Sequence, residues 1–131
     1  MISSLVTRAS AALLLLGGVA LLFAPDLILP RLVPGFPAAG LWIGQLLGGA
    51  CLGMAALNWL QRAAVLGGIY GRPVVLANLV LYFVGALTLI RALQDPAASR
   101  ALWLVAAPAL GLAVVYGARL LRGPFDPLER A

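Results

Sequence analysis

At 131 residues, with 63% hydrophobic and 10% charged side chains and a mean hydropathy of +1.07, the chain falls outside the range of water-soluble domains, in which about a quarter of residues are charged. Its nine basic residues are all arginine and outnumber four acidic ones, but they stand scattered beside apolar runs, where they meet lipid phosphates, so the net charge of +5 does not read as a nucleic-acid surface. One cysteine and no histidine exclude paired-thiol chemistry within the chain and the usual zinc and haem ligand sets, and no metal or other cofactor is expected.

Four charge-free apolar runs, 9–25, 32–61, 73–90 and 101–118, take up most of the length. About 20 helical residues at 1.5 Å each cross a hydrocarbon core of roughly 30 Å. The runs therefore predict helices over about 5–24, 39–62, 73–92 and 97–121. The expected fold class is all-α: a polytopic membrane protein, built as an antiparallel four-transmembrane-helix bundle. Residues 1–131 form a single membrane domain, with no length left for a soluble catalytic one.

Arg8 precedes the first run in the manner of a signal peptide, but Pro25-Asp26-Leu27 is a poor small-residue cleavage site, and the run reads as a retained helix. The connection that follows, 25–39, holds Pro25, Pro30, Pro34 and Pro37 among apolar residues. Proline blocks a continuous helix there, and the apolar content places the segment on the outer membrane surface or folded back over the bundle.

The second helix carries the most distinctive pattern. At 100° per residue, Gly40, Gly44, Gly48, Cys51, Ala55, Asn58 and Arg62 fall within an arc of about 80°. Small residues at every fourth position let another backbone approach closely, which is how helices associate in lipid. Gly49 and Gly53 form a second groove on another face, so this helix is expected to touch two neighbours and stand at the centre of the bundle. Cys51 reads as a small packing residue, and Gln45 and Thr88 as interhelical hydrogen-bonding groups.

The second connection centres on Gly67-Gly68 and ends Gly71-Arg72-Pro73, with proline in the first turn of the third helix, where its missing N–H costs nothing. That helix offers Asn78, Tyr82, Gly85 and Leu89 on one face. A hairpin symmetric about Gly68 sets Asn58 level with Asn78, Cys51 with Gly85, and Gly48 with Thr88. The third connection predicts Asp95 as N-cap with Pro96 in the first helical position of the fourth span. That span carries its own small series, Ala109, Ala113 and Gly117, and ends at Arg122-Gly123-Pro124 before a short tail.

Charge sets the expected topology. With the N-terminus inside, Arg8, Arg62, Arg72, Arg119, Arg122 and Arg130 lie on the cytoplasmic side against Arg31, Arg91 and Arg100 outside, a six-to-three split that favours both termini inside. Phe23, Trp42 and Trp103 then fall near the outer interface, and Trp59, Tyr70 and Tyr116 near the inner one, as an aromatic belt requires.

No catalytic signature emerges. Ser3, Ser4, Ser10 and Ser99 have no histidine to act as base, and all four carboxylates (Asp26, Asp95, Asp126, Glu129) lie outside the helices, where they cannot couple proton movement to transport. The one candidate site is a polar cluster of Asn58, Arg62, Asn78 and Tyr82. It reads either as a register-fixing hydrogen-bond set or as an anion-binding pocket, with Arg62 turned toward the protein by its place on the small-residue face.

Phe23-Ala24-Pro25 closing a helix with Gly17-Gly18, followed by a glycine-rich second helix ending Asn58-Trp59-Leu60-Gln61-Arg62 and two further spans, resembles the small four-helix inner-membrane proteins of bacteria grouped as DoxX-like. The resemblance implies a four-helix bundle in a prokaryotic cytoplasmic membrane and carries no settled activity. A redox role does not transfer, because the chain lacks paired cysteines. The leading reading is a non-enzymatic accessory, scaffold or lipid-associated membrane protein, with membrane lipids, further copies of itself or a larger membrane complex as partners. A small oligomeric transporter or channel is the alternative, and a membrane enzyme acting on a lipid or anionic substrate the weaker one.

Overall fold

The computed structural model describes residues 2–63 and 71–122; Gly67-Gly68, Tyr70 and the tail with Asp126, Glu129 and Arg130 lie outside the described residues. Within them the chain is all-helical: α1 (Ile2–Phe23), α2 (Pro25–Leu32), α3 (Leu41–Leu60), α4 (Arg72–Ala92) and α5 (Trp103–Arg122), with short 3-10 turns at Ala38–Gly40 and Arg100–Leu102. Four segments, Ser4–Phe23, Ala38–Leu60, Arg72–Ala92 and Arg100–Leu121, are long and apolar enough to cross a membrane.

Two connections depart from expectation. The proline-rich segment is not helix-free: residues 25–32 form α2, with Pro25 in its first turn, where a missing N–H is harmless, and Pro30 inside it. Pro25 is buried and Leu29 reaches the face of α3 at Gly44, so this short helix folds back onto the bundle. Gly35 takes a left-handed φ of 79° in the turn that follows, a conformation glycine adopts without steric penalty. At the third connection, Asp95 caps a turn and not the helix, its carboxylate accepting from Ala97 N at 2.9 Å. Ser99 is the residue that starts the last span, accepting from Ala101 N at 3.2 Å, so the span begins at Arg100 instead of 97. Asp95 is committed to its own turn two residues on and cannot also serve the helix.

The long helices pack as two close pairs, α1 with α3 and α4 with α5. The tightest point is Gly18 against Gly48. A Cβ on Gly48 would lie 2.8 Å from the Gly18 carbonyl oxygen and 2.9 Å from Leu22 N, while one on Gly18 would lie 2.9 Å from the Gly48 oxygen. Only a residue without a side chain permits that approach. The small-residue stripe is thus a contact face, but for the first span: Gly48 meets α1, Gly44 meets Leu29 of α2, and Gly40 meets the Phe36 ring.

The expected central position of the second span is corrected accordingly. A Cβ on Gly49 or Gly53 would meet nothing within 4 Å, so their groove has no neighbour within the described residues. The hairpin register holds at Asn58 and Asn78 but not further along, since Gly48 is taken by α1 and Thr88 is exposed. Close approach needs small residues on both helices. Gly18 provides them on α1, whereas α4 presents Asn78 and Tyr82, which hold α3 and α4 apart at side-chain distance.

Burial is inverted relative to a water-soluble domain. The largest fully buried side chains are Tyr116, Val75, Asn58, Asn78, Thr7 and Ser10, while Leu5, Leu16, Leu60, Leu104, Val114 and Leu121 are more than half exposed. An apolar exterior over a polar, small-residue interior is compatible with an integral membrane protein, where lipid covers the outside and helices must supply one another's hydrogen bonds.

Candidate functional site

The polar cluster sits where the two helix pairs meet, and every long helix contributes to it. Asn78 and Tyr82 are one turn apart on α4, Asn58 comes from the last turn of α3, Ser10 from α1 and Tyr116 from α5. Asn58 Nδ2 donates to Asn78 Oδ1 at 2.8 Å, and Asn78 Nδ2 returns a bond to Asn58 Oδ1 at 2.6 Å. The second N–H of Asn78 goes to Val74 O at 2.8 Å in its own helix, and the second N–H of Asn58 to Ser10 Oγ at 3.0 Å. Ser10 Oγ also pairs with Tyr82 Oη at 2.5 Å and lies 3.4 Å from Asn78 Oδ1.

One assignment of protons satisfies every donor in this set. Tyr82 donates to Ser10, Ser10 donates to Asn78 Oδ1, and both amides use both N–H groups. The arrangement is closed: no donor of the four residues is left to aim at a ligand. Tyr116 is different. Its ring stacks on Tyr82 with centroids 5.8 Å apart and planes 13° from parallel, yet its fully buried hydroxyl has no partner within hydrogen-bond geometry among the described residues.

Of the residues picked out by sequence, Asn58, Asn78 and Tyr82 are brought together, and Arg62 stands apart from them. The Arg62 side chain folds back on its own helix end, donating from Nη1 to Trp59 O at 2.7 Å and lying 4.5 Å over the Trp59 ring. Its guanidinium satisfies a terminal helix carbonyl, a common fate of arginine at a helix C-terminus. Gln45 does make an interhelical bond, to Leu22 O at 3.5 Å, and Cys51 is a half-buried free thiol packed beside the core.

Sequence reading misses Thr7 and Ser10 and sets Tyr116 near the cluster in depth without a place in it. Thr7 and Ser10, about one turn apart on α1, form a polar strip, and both are fully buried. Tyr116 belongs to the core and not to an interfacial belt. Trp59, Trp42, Trp103 and Phe23 are more than half exposed, as belt residues are.

A groove of about 520 Å³ runs along the α1–α3 pair, lined by the buried Ala11 and Ala55 and the exposed Ala12 and Ala56, with Leu15 and Leu52 toward one end and Arg8 and Trp59 toward the other. Trp59 joins the two features, since its ring carries Arg62 and also walls the groove. Comparison with protein-family models, with curated proteins and with solved structures returns no match, so the functional argument rests on this geometry.

Proposed function

We propose that this chain is a non-enzymatic integral membrane protein, an antiparallel four-helix bundle of the prokaryotic cytoplasmic membrane with both termini inside, acting as a lipid-associated scaffold or accessory subunit. One observation carries the reading: the amide–hydroxyl network joining α1, α3 and α4 consumes all of its own donors at the junction of the helix pairs. A pocket that recognises a ligand keeps groups free for it. Here Asn58, Asn78, Ser10 and Tyr82 spend theirs on one another, which fixes the register of two helix pairs that otherwise meet through few close contacts. Ser10 is surrounded by amides and a phenol, none of which takes a proton from a hydroxyl at neutral pH. The lock reading of Asn58, Asn78 and Tyr82 is therefore preferred to the anion-pocket one, and Arg62 is assigned to the exterior.

The open Gly49 and Gly53 face gives the oligomeric alternative its specific support, since paired small residues at helical spacing suit helix–helix contact in lipid.

The test is thermal unfolding of the full chain in mild detergent, after carbonate extraction has established that it partitions with the membrane. Asn58→Leu and Asn78→Leu should each lower the melting temperature while co-purifying lipid is retained. Variants that melt like wild type but lose a bound small molecule would replace the lock with a ligand site, and a chain released by carbonate would overturn the membrane reading.

A further inference from the structure

The α1–α3 groove has the form of a lipid site, not of a gap in packing. Its floor is kept low by alanines, two from each helix, Ala11 and Ala12 facing Ala55 and Ala56, while Leu15 and Leu52 bound its inner part. Its lining is almost wholly apolar except at one end, where the exposed Arg8 stands beside Trp59. Arg62 lies over the same indole and donates one N–H to Trp59 O, and the rest of its fork has no acceptor among the described residues. Neither arginine forms an ion pair among the described residues. One cation thus lines the apolar furrow together with Trp59 and a second lies over the same indole, while the carboxylate Asp26 stands in the first turn of α2 and Asp95 in the turn after α4, neither of them among the groove's lining residues.

We propose that this groove binds one anionic glycerophospholipid, with an acyl chain laid over Ala12 and Ala56 between Leu15 and Leu52 and the headgroup phosphate held between Arg8 and Arg62. The charge pattern selects this occupant. A second protein helix would need small-residue contact along the whole groove and would have no use for two arginines that lack a carboxylate partner among the described residues. A soluble anion would have no use for the apolar furrow. Guanidinium forks match phosphate oxygens bidentately, and the stacking on Trp59 holds Arg62 in place for that contact. The inference rests on the lipid-associated reading above, and names the lipid class and its seat.

The experiment is native mass spectrometry of the full chain in mild detergent, titrated with phosphatidylglycerol and with phosphatidylcholine carrying the same acyl chains. Wild type should prefer the anionic lipid by tenfold or more, since an arginine near an anionic headgroup contributes about fivefold each. R8Q/R62Q should remove the preference and leave phosphatidylcholine binding unchanged, R8K/R62K should keep part of it, and A56F, which fills the floor, should weaken both lipids. R91Q/R100Q, which removes the same charge elsewhere, should bind as wild type does. A preference that survives R8Q/R62Q, that falls equally in R91Q/R100Q, or that is indifferent to A56F overturns the site. Failure of the underlying membrane reading is seen separately, at carbonate extraction, before any lipid is added.

Discussion

The carboxamides of Asn58 and Asn78 lie head to tail between α3 and α4, each donating to the other's oxygen, at 2.8 and 2.6 Å. Such a reciprocal pair is directional in a way that apolar packing is not: sliding one helix by a residue separates both bonds at once. Both amides are fully buried, so breaking the pair leaves polar groups with no water to replace the partner.

Asn58→Leu is expected to destabilise the chain by about 1–3 kcal/mol, because it strands a carbonyl and an N–H of Asn78 and an acceptor site on Ser10. Asn58→Leu together with Asn78→Leu should cost less than the sum of the two single changes, since the second removes groups that the first left unsatisfied. Thermal or denaturant melts of the four proteins in one detergent measure this cycle, and strict additivity would mean that the two amides do not act as a pair.

The two tyrosines should separate cleanly. Tyr82→Phe removes the hydroxyl paired with Ser10 and should cost on the order of 1 kcal/mol. Tyr116→Phe removes a buried hydroxyl that has no hydrogen-bond partner among the described residues and keeps the ring stacked on Tyr82, so it should be neutral or stabilising. A loss at Tyr116 as large as that at Tyr82 would show that its hydroxyl is engaged.

The four long apolar helices were legible because a charge-free apolar run of membrane-crossing length has few other uses than one continuous helix. The Asn58–Asn78 pair was legible for a local reason: both sit equally far from Gly68, so an antiparallel turn brings them level. Ser10 and Tyr116 were not, because their burial depends on α1 and α5 closing over α4, a long-range outcome that no local spacing encodes. Arg62 misled for the opposite reason. Helical spacing puts it in line with the small residues, but three residues back the Trp59 carbonyl at the helix end offers a nearer partner than the interior. The prolines of 25–32 likewise hid a helix, since Pro25 falls in a first turn, where its missing N–H is harmless, and Pro30 lies inside the helix without ending it.

Glycine position should decide tolerance. Gly48→Ala places a methyl 2.8 Å from the Gly18 carbonyl oxygen, an atom that moves only with its helix, and is expected to destabilise by roughly 1–3 kcal/mol. Gly48→Leu should be worse and far more damaging than any apolar change at the half-exposed Leu47. Gly49→Ala, one residue on, meets nothing within 4 Å and should be neutral or gain up to about 1 kcal/mol of helix propensity in the monomer. Detergent melts of the three variants test the α1–α3 contact; equal tolerance at 48 and 49 would refute it.

The expected orientation of the proposed membrane bundle rests on arginine placement and is independent of the packing. Arg8, Arg62, Arg72 and Arg119 lie at one level of the expected bundle, and Arg31, Arg91 and Arg100 at the other; Arg122 and Arg130 add to the first set. Translocation is opposed by positive charge near helix ends, so the richer set should remain cytoplasmic. A reporter fused after Ala131 should read as cytoplasmic, as should one inserted at Gly67-Gly68, while one inserted after Pro34 should read as external. Because the bias is six to three, moving charge should move the protein: replacing Arg62 and Arg72 by glutamine while adding two arginines beside Arg31 brings the counts to four and five, and should yield a mixed or inverted population. A C-terminal reporter that is external in wild type would contradict the assignment of both termini to the inside, and would also put the Arg8 and Arg62 end of the groove in the outer leaflet.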